Sequence, residues 1–290
     1  MLVTRFAPSP TGFLHLGHAY AALYAGQRAR RAGGSFLLRI EDIDIGRCRT
    51  EYVAAIIEDL AWLGLDWDGE VRVQSAHFDE YRAVLEALAG RGLLYPCFCT
   101  RAEIMREMEH AASAPHAPDG SPLYPGTCRD LSGDERAARI ASGKPYALRL
   151  DMARALHLVG GELSFIEEGE GAVICRPERF GDVVLARKDT PSSYHLCVTH
   201  DDAQQRITLV TRGADLKPAT DLHRLLQELM HWPVPRYAHH PILTDPSGRR
   251  LAKRDRDATL RDMRVKGMTS QQVRALAGFP DCLEAVPCAS

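Results

Sequence analysis

The chain has 290 residues, 45% hydrophobic and 26% charged, a globular composition that excludes collagen-like, low-complexity and wholly disordered chains. Its 36 Lys and Arg against 38 Asp and Glu leave a net charge of -2, which neither requires nor excludes a nucleic-acid partner, because a local basic patch can act on a neutral protein. No apolar run nears the roughly 18 residues of a membrane helix, and the first residues lack the basic and apolar regions of an export signal. A cytoplasmic protein without a membrane partner is therefore expected, its eight cysteines serving as thiols or metal ligands and not as a disulfide framework.

Residues 2–6 form an apolar-rich run stopped by Pro8-Ser9-Pro10-Thr11-Gly12, the pattern of a strand entering a turn-rich loop. Helical spacing follows over 16–32, with Arg28, Arg30 and Arg31 near the negative end of the dipole and Gly33-Gly34 closing it. A second apolar strand at 36–40 completes a βαβ opening and points to a parallel sheet covered by helices. A helix over 50–63, capped by Thr50, repeats Ile56, Ile57, Leu60 and Leu63 at helical spacing, and another spans 78–89.

Residues 97–128 break the pattern with Cys97-Phe98-Cys99, a polar helix near 101–111, and a loop holding Pro115, Pro118, Pro122 and Pro125 before Cys128. This reads as an insertion organised by something other than an apolar core. A helix near 132–142 follows, then extended segments at 146–151, 163–166 and 182–187. A core strand is expected at 194–198, another at 207–210, and a helix over 221–230. The tail holds the turn Thr244-Asp245-Pro246-Ser247-Gly248, a charged stretch at 249–257, and one helix near 269–277. Residues 243–266 carry 8 bases and 4 acids, the strongest local excess of positive charge.

Between the first strand and the first helix runs Pro8-Ser9-Pro10-Thr11-Gly12-Phe13-Leu14-His15-Leu16-Gly17-His18. Its two imidazoles stand where the orphan N–H groups and the dipole of a helix N-terminus favour anions. An imidazole donates to phosphate oxygens whether neutral or charged, and Gly17 lets a flat ligand approach the backbone. Neither the dinucleotide fingerprint nor the Walker arrangement is present, so a nucleotide held here is held differently.

The run resembles the HIGH-type signature of the class I aminoacyl-tRNA synthetases, in the form typical of their glutamyl branch. That resemblance implies that His15, Gly17 and His18 bind ATP, used with Mg²⁺. His15 and His18 would stabilise charge moving to pyrophosphate as a carboxylate attacks the α-phosphate. It also implies a KMSKS-type loop, matched by 249–255, where Arg250 replaces the first lysine and Ala252 the serine. Lys253 keeps the central lysine position and is assigned to the β- and γ-phosphates, with Arg250 or Arg254 assisting.

Glutamate carries one positive and two negative groups, so a selective pocket offers a carboxylate and two cationic contacts. Arg5 and Glu41 end the first two strands, where parallel α/β sheets place ligands. The resemblance carries Arg5, Ala7, Ser9, Glu41, Tyr194 and Arg212 onto L-glutamate, Glu41 taking the α-amino group; a guanidinium fork suits a carboxylate. His200-Asp201-Asp202 is read as structural support for the nearby loop.

Cys97-x-Cys99 and Tyr124-x-x-x-Cys128 bracket the insertion. Three thiolates fill most of a tetrahedral zinc site, and His110 and His116 are the generic choices for a fourth ligand. Similarity to the tRNA glutamyl-queuosine synthetases implies Tyr124 in that place instead, around a structural Zn²⁺.

For the whole chain the resemblance implies an α/β fold, the Rossmann-like nucleotide-binding fold of class I aminoacyl-tRNA synthetases, with a zinc-containing insertion and no anticodon-binding domain. The expected boundaries are 1–96 for the first half of the catalytic domain, 97–190 for the insertion and an acceptor-end-like subdomain, 191–240 for the second half, and 241–290 for the lysine loop and tail. A tail of 37 residues after Lys253, joined to the cysteine cluster, resembles the paralogue that glutamylates queuosine in the anticodon of tRNA(Asp). Its partners are then ATP, L-glutamate and queuosine-containing tRNA(Asp), bound through the anticodon stem-loop by a monomer. Two other readings stay open: a truncated glutamyl-tRNA synthetase that esterifies the tRNA 3′ end, and a non-catalytic RNA-binding relative.

Overall fold

The structure, a computed structural model, describes residues 1–109, 116–118, 120–242 and 259–280. Strands β1 (Val3–Phe6) and β2 (Ser35–Ile40) pair in parallel from Val3↔Ser35 to Phe6↔Leu38, and helix α1 (Leu16–Arg31) crosses between them. Phe36, Leu38 and Ile40 are wholly buried, each such side chain contributing about 1.5–3 kcal/mol relative to exposure. Gly34 is required at the entry to β2, because a Cβ there would collide with the Leu2 carbonyl oxygen. Helix α2 (Thr50–Trp62) then leads to β3 (Arg72–Val73), which adds to the outer side of β2. Thr50 is the first helical residue of α2 and not its cap; Arg49 occupies the cap position and its side chain makes no capping bond.

After α3 (Phe78–Gly90) come β4 (Leu94–Cys97), α4 (Arg101–Glu109), α5 (Gly133–Ala141), β5 (Ala147–Leu150) and α6 (Met152–Val159). Helix α6 escaped the periodicity reading because it is only eight residues long; Asp151 caps it by accepting from the Arg154 N–H at 3.0 Å. The hairpin β6 (Ser164–Glu167) and β7 (Gly171–Ile174) precedes β8 (Val184–Ala186), and β4, β5 and β8 make an antiparallel sheet.

The segment expected as a strand at 194–198 is the start of helix α7 (Tyr194–Gln204). Seven consecutive residues, Leu196 to Asp202, are buried, so no polar face interrupts the apolar run and the helical period is hidden. Ser193 caps the helix, accepting from Leu196 N–H at 3.4 Å.

Strand β9 (Leu209–Gly213), helix α8 (Ala219–Met230) and strand β10 (Arg236–His240) follow; β10 pairs in parallel with β9 and with β6. Thr208 joins this second sheet to the first: its N–H donates to Val3 O at 3.0 Å, and its hydroxyl accepts from Val3 N–H at 2.8 Å. The strands therefore run β3-β2-β1, then β9-β10-β6-β7, with the connection order reversing between β1 and β9. An α/β sheet of this kind binds its ligands at such a switch, outside the carboxyl ends of the strands. Helices α9 (Leu260–Val265) and α10 (Ser270–Leu276) close the chain against α1 and α2, Leu260 and Val273 sharing a core with Leu14, Leu23 and Leu60. No helix among the described residues is long and apolar enough to cross a membrane.

Candidate active site

His15 is the N-cap of α1, and its Nδ1 accepts from Gly17 N–H at 3.1 Å while His18 Nδ1 accepts from His15 N–H at 3.2 Å. Both Nδ1 atoms are acceptors, so the neutral rings keep their protons on Nε2, which leaves two N–H donors for a ligand. The ring centroids lie 3.8 Å apart. Burial, and then the neighbouring His15, push His18 down to about 3, and burial lowers His15 as well. Both rings are therefore neutral at neutral pH, with a proton on each Nε2. A Cβ on Gly17 would stand 3.0 Å from the His15 ring, so glycine here leaves the cap undisturbed.

Lys253, Arg250 and Arg254 lie outside the described residues, but the flanks of their segment are in place. Thr259 bridges His15 in antiparallel fashion, and Leu260 N–H donates to Leu14 O at 2.8 Å. On the upstream side the His240 ring packs 4.9 Å from Tyr20 and 5.4 Å from Tyr24, both on α1. The described residues on both flanks, His240 and Thr259, therefore lie beside α1, the helix that carries the histidines.

A cavity of about 410 Å³ opens at the switch between β1 and β9. Arg5, Ala7, Ser9, Glu41, Tyr194 and Arg212 all line it, as does His18. Arg5 grips Asp202 through Nε at 2.8 Å and Nη2 at 3.2 Å and donates from Nη1 to Thr211 O at 3.0 Å. Arg39, wholly buried, reaches Asp202 at 2.7 Å and Glu41 at 3.1 Å. Burial pushes the Asp202 carboxyl up, but Arg5 and Arg39 outweigh it and hold the group below the usual carboxylate range. Burial raises Glu41 and Tyr194.

Asp202 is thus more than support for a loop: from α7 it holds a guanidinium from β1 and another from β2. The neighbouring Asp201 takes Arg72 and Gln74, each at 2.8 Å, and the Tyr81 hydroxyl. In sequence Arg39 looks like part of an apolar strand, Phe36-Leu37-Leu38-Arg39-Ile40, so nothing local marks it as a binding residue.

A second cavity, about 570 Å³, shares Ser9, Thr11, Glu41 and Tyr194 with the first. Arg47, Arg101, Arg149 and Arg187 stand round it, with Tyr124 at its wall. The two cavities meet at Ser9, Thr11, Glu41 and Tyr194, and the acids Asp44 and Asp182 also line the larger one.

Cys97, Cys99 and Cys128 bring their sulfurs within 4.8 Å of one another. A tetrahedral ion with Zn–S of about 2.3 Å separates its sulfurs by about 3.8 Å, so small side-chain adjustments suffice. The Tyr124 hydroxyl lies 3.5 Å from Cys99 Sγ and accepts from Cys128 N–H at 2.8 Å. His110 lies outside the described residues, and the exposed His116 does not belong to the group. Lys188 ties the Cys97-x-Cys99 turn from beneath, donating to Phe98 O at 2.9 Å and Cys99 O at 3.0 Å. The donor set suits a thiophilic, tetrahedral cation.

The family model for tRNA synthetases class I (E and Q), catalytic domain, matches residues 1–279. A glutamyl-Q tRNA(Asp) synthetase of Rhodobacter capsulatus is 47% identical over 291 residues, covering 96% of this chain and 100% of the relative. The chain belongs to the glutamyl-Q tRNA(Asp) synthetase family. As a member of this class I paralogue group it is an ATP-dependent, ligase-type enzyme with a Rossmann-like catalytic fold. A glutamate–tRNA ligase of Aquifex aeolicus is 40% identical over 265 residues, 91% of this chain but 54% of the ligase. The solved glutamate tRNA ligase of Elizabethkingia meningosepticum, in complex with its amino acid, matches with a TM-score of 0.73 at 28% identity, over 92% of this chain and 53% of that one. The glutamyl-Q synthetase family member thus spans about half the length of the glutamate–tRNA ligases it matches.

Proposed function

We propose that this enzyme activates L-glutamate with ATP and transfers the glutamyl group to the queuosine of tRNA(Asp), docked through its anticodon stem-loop. The observation that carries the reading is the pair of cavities meeting at Glu41 and Tyr194, one lined by the motif residues and the other ringed by arginines. In the smaller chamber Arg5 and Arg212 face the glutamate carboxylates, Glu41 takes the α-amino group, and Ala7, Ser9 and Tyr194 complete the wall. A glutamate α-carboxylate oxygen attacks the α-phosphorus of Mg²⁺-bound ATP, and the bond to the bridging oxygen breaks to release pyrophosphate. His15 and His18 donate from Nε2 to phosphate oxygens, Gly17 keeps the approach open, and Lys253, assisted by Arg250, meets the β- and γ-phosphates. A hydroxyl of the queuosine cyclopentene-diol, held in the larger chamber, then attacks the adenylate carbonyl; its proton is lost and AMP leaves.

Cys97, Cys99, Tyr124 and Cys128 hold a structural Zn²⁺ in this reading; the ion takes no part in the chemistry and braces the insertion beside the larger chamber. The proposed divisions fall at 96, 190 and 240, although the β6–β7 hairpin of the 97–190 segment pairs with β10 in the second catalytic sheet.

Radiolabelled glutamate transfer to queuosine-containing and queuosine-free tRNA(Asp) tests the reading. Label should appear on queuosine, persist after periodate oxidation of the 3′-terminal ribose, and vanish with queuosine-free tRNA. The 40% identity to a glutamate–tRNA ligase favours one rival, a 3′-end ligase, for which periodate would abolish acceptance and queuosine would be irrelevant.

A further inference from the structure

Arg212 has five N–H groups, and three of them are committed among the described residues. Nε donates to His239 Nε2 at 3.1 Å, Nη1 to His223 Nδ1 at 3.1 Å, and Nη2 to Thr220 Oγ1 at 2.7 Å. One N–H remains on each terminal nitrogen, enough to hold a carboxylate at two points.

A guanidinium only donates, so each histidine must present it with an unprotonated nitrogen. His239 does so because its Nδ1 gives its proton to Glu167 Oε2 at 2.7 Å, while Glu167 Oε1 is pinned by the His239 backbone N–H at 2.8 Å. His223 carries its proton on Nε2 and directs it to His195 Nδ1 at 3.2 Å. Glu167 and His223 are each 3% exposed, and His195 lines the larger cavity. A proton added to either ring would set a cation against Arg212. Burial, then the Arg212 charge, keep His223 well below the ordinary imidazole range and His239 at about 4.

We propose that His223 and His239 are positioning residues for amino-acid recognition: their fixed tautomers orient Arg212 so that its two remaining N–H groups meet one carboxylate of the substrate. This deepens the glutamate reading and rests on it. His223 also continues the hydrogen-bonded line to His195, so the two chambers share one polar framework.

The test compares His223→Gln with His223→Leu in glutamate-dependent exchange of pyrophosphate into ATP. A glutamine carbonyl accepts from Arg212 and its amide donates to His195, which reproduces both bonds; leucine keeps the bulk and removes both. H223L should raise KM for glutamate about tenfold or more, the effect of misdirecting a hydrogen bond to a charged group, with KM for ATP within about twofold of wild type. H223Q should restore most of the loss. Equal glutamate KM in H223L and wild type overturns the relay while leaving the functional reading intact. No glutamate-dependent exchange in the wild type overturns that reading, and the carboxylate role of the relay falls with it. Nitrogen NMR of wild-type imidazoles gives a readout that needs no variant to fold: His223 protonated on Nε2 and His239 on Nδ1 support the relay, and either reversed tautomer, or a doubly protonated ring at neutral pH, overturns it.

Discussion

The carboxylate of Asp202 shows how much one residue can carry. It is buried and binds two guanidiniums from different strands, Arg5 at 2.8 Å and Arg39 at 2.7 Å. Removing one partner from a buried charge cluster costs about 3–5 kcal/mol, because the remaining charges stay desolvated and unpaired. Asp202→Asn should therefore lower unfolding free energy in urea by that order, and a change within about 0.5 kcal/mol, the range of ordinary surface substitutions, would refute the pairing. His18 makes a pH prediction. Its folded value near 3 lies below the ordinary 6.5, so the unfolded chain takes up the proton first. The neutral, buried imidazole costs nothing above pH 6.5, and stability falls as pH drops from there toward 3. In denaturant titrations across this window His18→Asn should flatten that fall relative to wild type; parallel curves would mean that His18 is not held neutral. The motif made His15 and His18 legible as a pair, but their tautomers follow from two backbone N–H groups that no spacing rule reveals.

At the scale of elements, strand and helix signals were readable where one face meets water. The βαβ opening is of that kind, since α1 alternates Ala19, Ala22 and Leu23 with half-buried positions. Helix α7 is buried on every side and read as a strand for that reason. Strand β10, with Arg236, His239 and His240 in five residues, gives no apolar pattern, and its buried His239 is held by Glu167, which accepts from both the backbone N–H and Nδ1. The 97–128 insertion is another case: Cys97, Phe98, Tyr124 and Cys128 share only a small buried cluster with Tyr95, which gives no apolar periodicity. If the proposed zinc site is right, Cys97→Ser should lower zinc content and the thermal stability of the insertion. Metal analysis of the purified variant checks this, and an undiminished zinc content would remove Cys97 from the ligand set.

At the scale of the whole molecule, a net charge of -2 coexists with four arginines round the larger cavity. Binding of tRNA(Asp) should then be weak and should fall as salt rises, log K declining linearly with log salt as phosphates release counterions. Filter binding or anisotropy over a salt series measures that slope, and a salt-independent affinity would argue against docking through this rim. His240 and Thr259, described residues on either side of Lys253, both meet α1 or its cap, and the proposed mechanism draws that lysine to the same triphosphate.

Sequence alone pointed to the glutamyl branch of the class I synthetases, because Pro8 to His18 is a local string whose chemistry needs those residue types in that order, and the same resemblance supplied Arg5, Glu41, Tyr194 and Arg212 as candidates before any of them had neighbours. Only the tertiary structure decided that these side chains surround one cavity, that Asp202 holds Arg5 and Arg39 together, and that His223 and His239 aim Arg212. The physical reason is range: a cap or a phosphate-binding turn is specified by residues a few positions apart, whereas buried charge pairing and tautomer choice are specified by groups that meet only after β1, α7, β9, α8 and β10 have packed.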